Sequence, residues 1–116
     1  MSMESQLFAA LSPLVDGRVY PDVAPDGAET PYITYQQVGG RAVNFIDATL
    51  PGKRNARVQV NVWGETRLAV SQLAGAVEDA LRLTPALQTS VLAQPVAEVD
   101  EETRLRGARQ DFSFWI

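Results

Sequence analysis

Apolar and polar positions alternate most regularly over residues 54–63. Val58, Val60 and Val62 alternate with Arg57, Gln59 and Asn61, the period-2 pattern of a strand with one covered face. Trp63 and Gly64 end it. The period then lengthens. From a cap at Thr66, residues Val70, Leu73, Ala74, Val77 and Leu81 recur at helical spacing and form one apolar stripe. Pro85 closes that helix. A shorter helix is predicted over residues 3–14, where Met3, Leu7, Phe8, Leu11 and Leu14 share a face, Ser2 caps and Asp16-Gly17 ends it.

The remaining chain reads as strands and connections. Residues 18–20 form a short extended piece before Pro21. Residues 21–31 hold three Pro and one Gly, a stiff connecting loop. Residues 32–38 form a strand closed by Gly39-Gly40. Residues 41–53, with Phe45, Ile46 and Leu50 among polar neighbours, form a long hairpin connection, and loops of that length are usually functional or mobile. A strand over 88–99 is weakened by Pro95 and suits an edge or a break. Residues 98–102 make an acidic turn. Residues 103–116 form a last strand with Phe112, Phe114 and Ile116 on one face; Leu105 has the opposite parity, so a bulge near Gly107 is expected. The predicted fold class is α+β: an antiparallel sheet of about four to five strands with two helices packed on one face.

Length narrows the picture to one domain over residues 1–116. No apolar run reaches the ~20 residues of a membrane span, and the N-terminus lacks the basic start of a signal peptide. A cytoplasmic product is the expectation. The net charge of −4 disfavours wrapping nucleic acid, where phosphate neutralisation dominates affinity.

Candidate chemistry is sparse. The chain has no His and no Cys, which removes the commonest general base, a common metal ligand and thiolate chemistry. Lys53, the single lysine, sits in a Pro-Gly turn beside Arg54 and reads as a solvated charge rather than the buried amine that catalysis by lysine needs. Glu98, Asp100, Glu101 and Glu102 offer clustered oxygens of the kind a hard cation takes, but no D-x-D-x-D-G loop surrounds them, and an acidic turn accounts for them. Gly39-Gly40 and Pro51-Gly52 are turn residues without a phosphate-binding pattern. No catalytic residue, cofactor or metal ligand is assigned.

The aromatic and basic residues carry more. Trp63 is out of phase with the valines and Trp115 with Phe112 and Phe114, each near a strand end. Either they cap the core, or they join an apolar patch that another subunit covers. Arg41, Lys53, Arg54 and Arg57 bracket the long loop, and Arg104, Arg106 and Arg109 lie on the last strand; they form a solvated strand face or a surface for an acidic partner. The candidate subunit or partner interface comprises Trp63, Trp115, Arg41, Phe45, Lys53 and Arg54.

Taken in order, GRVYPDVAPDGAETPYITYQQVGG, RVQVNVWGETRLAVSQLAGAVEDAL and RGARQDFSFWI resemble the siphophage and prophage tail-completion family, whose members look like the tail terminators that join tail to head. The match runs from about Leu7 to Trp115. It rests on Arg18-Val19-Tyr20-Pro21, Pro31-Tyr32, the strand ending in Trp63, the following helix and Asp111-Phe112-Ser113-Phe114. The resemblance implies a non-enzymatic virion protein that caps the tail tube as a ring of six copies, with the tail-tube and head-completion proteins as partners. It implies a chain that is monomeric until it docks, made in the host cytoplasm and placed at the tail-head junction. DNA would slide past an acidic wall without specific binding. The alternative is a cellular protein-interaction module of the same α+β shape with no phage role.

Overall fold

The computed structural model describes residues 2–116. Helix α1 (Met3–Leu11) starts where the Ser2 hydroxyl accepts the Ser5 N–H at 3.1 Å, satisfying one of the free donors of the first turn. Pro13 has no N–H to give to the turn before it, and the segment tightens into a 3₁₀ turn over Ser12–Leu14. Asp16 and Gly17 both take positive φ and reverse the chain into β1 (Val19–Pro21), which runs parallel to β2 (Tyr32–Gln37). Strand β3 (Asn55–Gly64) returns antiparallel to β2 and leads into α2 (Arg67–Arg82). Thr66 caps α2 by accepting the Ala69 N–H at 3.2 Å. A 3₁₀ turn over Pro85–Leu87 precedes β4 (Ser90–Val91), β5 (Val96–Val99) and β6 (Arg106–Trp115).

The fold class is α+β, with two helices against a six-stranded mixed sheet. The central strands run β2-β3-β6, antiparallel throughout. The strand count exceeds the expected four to five because the segment over 88–99 breaks into two pieces around Pro95. Both pieces pair with the free edge of β6, β4 at Phe112–Ser113 and β5 at Arg106–Arg109. The parallel β1 makes the sheet mixed.

The inner face carries the core. Val58, Val60 and Val62 of β3, Phe112 and Phe114 of β6 and Ile33 of β2 are buried against Leu7 and Leu11 of α1 and Val70, Ala74, Val77 and Leu81 of α2. The rings of Phe112 and Phe114 stack, with centroids 6.2 Å apart. The side chain of Gln110, on the same face, donates to Glu78 Oε1 at 2.8 Å and to the Ala93 carbonyl at 2.9 Å. This satisfies a buried amide and ties the β4–β5 link to α2.

The bulge expected near Gly107 is absent. Strands β3 and β6 pair one-to-one from Asn55↔Trp115 to Gly64↔Arg106. Leu105 lies before the strand and faces the uncovered side of the sheet, so its parity needs no extra residue.

Candidate functional site

Both helices pack on one face of the sheet, which leaves the other uncovered. Cross-strand rows on that face read Tyr32–Trp63–Gly107, Thr34–Asn61–Arg109 and Gln36–Gln59–Asp111. Near the middle, Arg57 donates to Asp111 Oδ2 at 2.7 and 3.0 Å. The basic face foreseen around Arg57 is therefore neutralised locally.

One end of this face is the base of the long connection. Its neck is closely tied. Val38 donates to Arg57 O at 2.7 Å, Arg57 to Gly39 O at 2.8 Å, and Arg54 and Ile116 exchange backbone bonds at 2.7 and 3.0 Å. Asn55 locks the assembly: its Oδ1 accepts the Arg41 N–H at 2.8 Å, while its Nδ2 donates to Ser113 Oγ at 2.7 Å and Phe114 O at 3.0 Å. Gly40 is required there because a Cβ would meet the Asn55 backbone, whose carbonyl carbon lies 2.9 Å from that position.

Beyond the neck the connection stands in solvent. Phe45, Ile46 and Leu50 are 50%, 109% and 85% exposed. Within it Asp47 accepts the hydroxyl and N–H of Thr49 at 2.6 and 3.1 Å, and the hydroxyl bond foremost holds its carboxyl below the usual range. Arg41, Lys53 and Arg54 make no ion pair among the described residues.

At the other end of β3 the face opens into a broad concavity of about 840 Å³. The 22–30 loop forms one wall and Asp100, Thr103 and Leu105 the other, with Tyr32, Thr34, Asn61 and Trp63 as floor. Five carboxylates line it, Asp22, Asp26, Glu29, Glu65 and Asp100, with no Lys or Arg among the lining residues. Burial, with a smaller contribution from the Asp100 charge, pushes the Tyr32 hydroxyl above its usual pKa. The Asp100 carboxylate is used within its own turn, accepting the N–H groups of Glu102 and Thr103 at 2.9 and 3.2 Å. Among the described residues no three His, Cys, Asp or Glu form a group suited to a metal ion.

The six interface candidates therefore separate. Arg41, Lys53, Arg54 and Trp115 gather at the neck, with Phe45 on the loop beyond it; Trp63 lies at the opposite end. Neither tryptophan is in the core. Both are half-buried on the uncovered face, and Trp63 rests on Gly107. Three features escaped the sequence reading: the Asn55 clamp, the acidic wall of the 22–30 loop, and Arg67. The Arg67 guanidinium donates to Gly107 O at 2.8 Å and Glu98 O at 2.9 Å, bracing β5 and β6 against the start of α2. Of these only the wall left a signal, three acids between residues 22 and 29 without a basic neighbour.

No helix among the described residues is long and apolar enough to cross a membrane. A search of curated proteins gives no match. Among solved structures, a chain of the "Virion of native gene transfer agent (GTA) particle" matches with a TM-score of 0.66 at 15% identity, covering 98% of this chain and 93% of that one. The gp17 protein of bacteriophage SPP1 matches with a TM-score of 0.55 at 17% identity, covering 97% and 84%. At these identities the two structures show a shared fold. Residues 5–116 match the family described as "Tail completion protein gp17", and the chain belongs to that family.

Proposed function

We propose that the protein caps the phage tail tube as a closed ring, probed from the tube side by the tail-tube protein and from the other by the head-completion protein. The observation that carries this reading is the family match over residues 5–116. The shared fold with a chain of a gene transfer agent virion supports it. The protein acts by assembly rather than by turnover. Six copies, made in the host cytoplasm and monomeric until they dock, surround a channel through which DNA passes without specific binding. A ring of chains each at −4 repels phosphate and so leaves the DNA free to slide.

The uncovered face supplies the contacts. Trp63 and Trp115 are half-buried aromatic anchors of the kind that dominate interface energetics, and Phe45 is displayed on a long loop flanked by Arg41, Lys53 and Arg54. The whole chain serves as one domain in this role. The test is tube growth in vitro. Purified tail-tube protein is polymerised with increasing amounts of this chain, and mean tube length falls as the chain is added. Lengths that do not change with the chain in excess refute the reading.

A further inference from the structure

The loop at the neck and the concavity at the far end of the sheet are opposites in charge and alike in apolar character. The loop carries Arg41, Lys53 and Arg54 against the single acid Asp47, with Phe45, Ile46 and Leu50 in solvent. The concavity carries five carboxylates, an aromatic floor at Tyr32 and Trp63, and an exposed Val23 on its wall. None of residues 41–54 lines the concavity of its own chain. Asn55 at the neck and Trp63 on the floor stand eight strand positions apart, about 27 Å at the usual rise.

We propose that the 41–54 arm of one copy seats in the acidic concavity of the next copy, an inference that rests on the ring reading above. The two surfaces lie at opposite ends of β3, so the contact is head-to-tail, the heterologous geometry that generates a ring when the rotation closes. Phe45, Ile46 and Leu50 leave solvent against Tyr32, Trp63 and Val23. Arg41, Lys53 and Arg54 meet Asp22, Asp26 and Glu29. The clamped neck presents the arm in a fixed direction, which lowers the ordering cost of docking. In the free chain Glu29 already lies 4.0 Å from the Arg18 guanidinium, whereas Asp22 and Asp26 make no ion pair among the described residues and are open to the arm.

The chain has no cysteine, so a Val23→Cys variant accepts one maleimide-benzophenone at the mouth of the concavity. The labelled full-length protein is irradiated at high concentration, alone and with tail tubes, and the adducts are mapped by mass spectrometry. The expected adduct joins residue 23 of one copy to the 41–54 segment of another. Replacing Asp22, Asp26 and Glu29 with Lys lowers its yield at least about tenfold, since it sets like charges against each other across the interface. Adding Arg41→Glu, Lys53→Glu and Arg54→Glu to the same chain restores it. An adduct to another segment, an adduct to the tail-tube protein, or no adduct in either condition overturns the inference. Imaging the same samples separates the two claims. Capped tubes without the arm adduct sink the arm contact alone; the arm adduct on uncapped tubes sinks the tail-cap reading alone; neither caps nor adduct sinks both.

Discussion

The indole of Trp63 occupies the space that a side chain at position 107 would need. A Cβ on Gly107 would lie 2.6 Å from Cζ3 and 2.7 Å from Cε3 of the ring, closer than non-bonded carbons approach. The two residues are cross-strand partners on the uncovered face, so a glycine on β6 makes the seat for a tryptophan on β3. Gly107→Ala is expected to lift the ring and to cost about 1–3 kcal/mol, as overpacking does. In a Trp115→Phe background the emission of Trp63 shifts to the red. An unchanged spectrum and melting temperature would contradict the seat.

Trp63→Ala should behave differently. Its ring lies outside the core, on the side of the sheet that the helices leave open, so the variant is expected to keep its circular dichroism spectrum and cooperative melt while binding tail tubes more weakly. Unfolding of the variant at room temperature would place Trp63 among the residues that hold the fold.

The neck of the long loop depends on Asn55. Asn55→Ala removes three hydrogen bonds, to Arg41 N, Ser113 Oγ and Phe114 O, and is expected to cost about 1–3 kcal/mol, the range for leaving such partners unsatisfied. Amide exchange at Arg41 should accelerate with it. In the unaltered free chain, residues 42–53 are expected to exchange quickly, and the amides of Val38, Arg54 and Arg57 slowly, because only the neck is bonded into the sheet. Strong protection across 42–53 in the monomer would contradict this division.

Glu78 links stability to pH. The hydrogen bond from Gln110, followed by that from Arg82, holds its carboxyl below the usual value. A folded-state pKa below the unfolded one contributes stability that is present above the unfolded value and is lost as pH falls through the folded one. Glu78→Gln is therefore expected to be less stable than the unaltered protein at pH 7, by about 1 kcal/mol for one charge-assisted hydrogen bond. That gap should narrow as pH drops below the ordinary glutamate range. Denaturant melts at pH 7 and pH 3 measure it; a gap of equal size at both contradicts the assignment.

Much of this architecture is legible from periodicity because burial repeats with the element. The stripe Val70–Leu81 and the alternation Val58–Val60–Val62 point to α2 and β3 directly, and Pro95 foretells the break between β4 and β5. Features that depend on register are not legible. Gly107 reads as a bulge until β6 is set against β3, and only then does it become the seat of Trp63. Asn55 looks like any polar strand residue until Ser113 and Phe114 arrive beside it from the far end of the chain. The 21–31 loop, stiff with proline, shows its three acids in the sequence but gives no hint that it stands over the outer face, across the concavity from the Asp100 turn. For the candidate interface, the composition of the 41–53 loop marks the basic arm, whereas its acidic counterpart is assembled from three separate segments, residues 22–34, 61–65 and 100–105.

The central claim is that this chain closes the end of a tail tube. Cryo-electron microscopy of purified tail tubes mixed with excess protein tests it most directly. The account predicts a ring of six copies on one end of each tube, with residues 41–54 ordered within it. Bare tube ends, or protein bound along the tube walls, would contradict it.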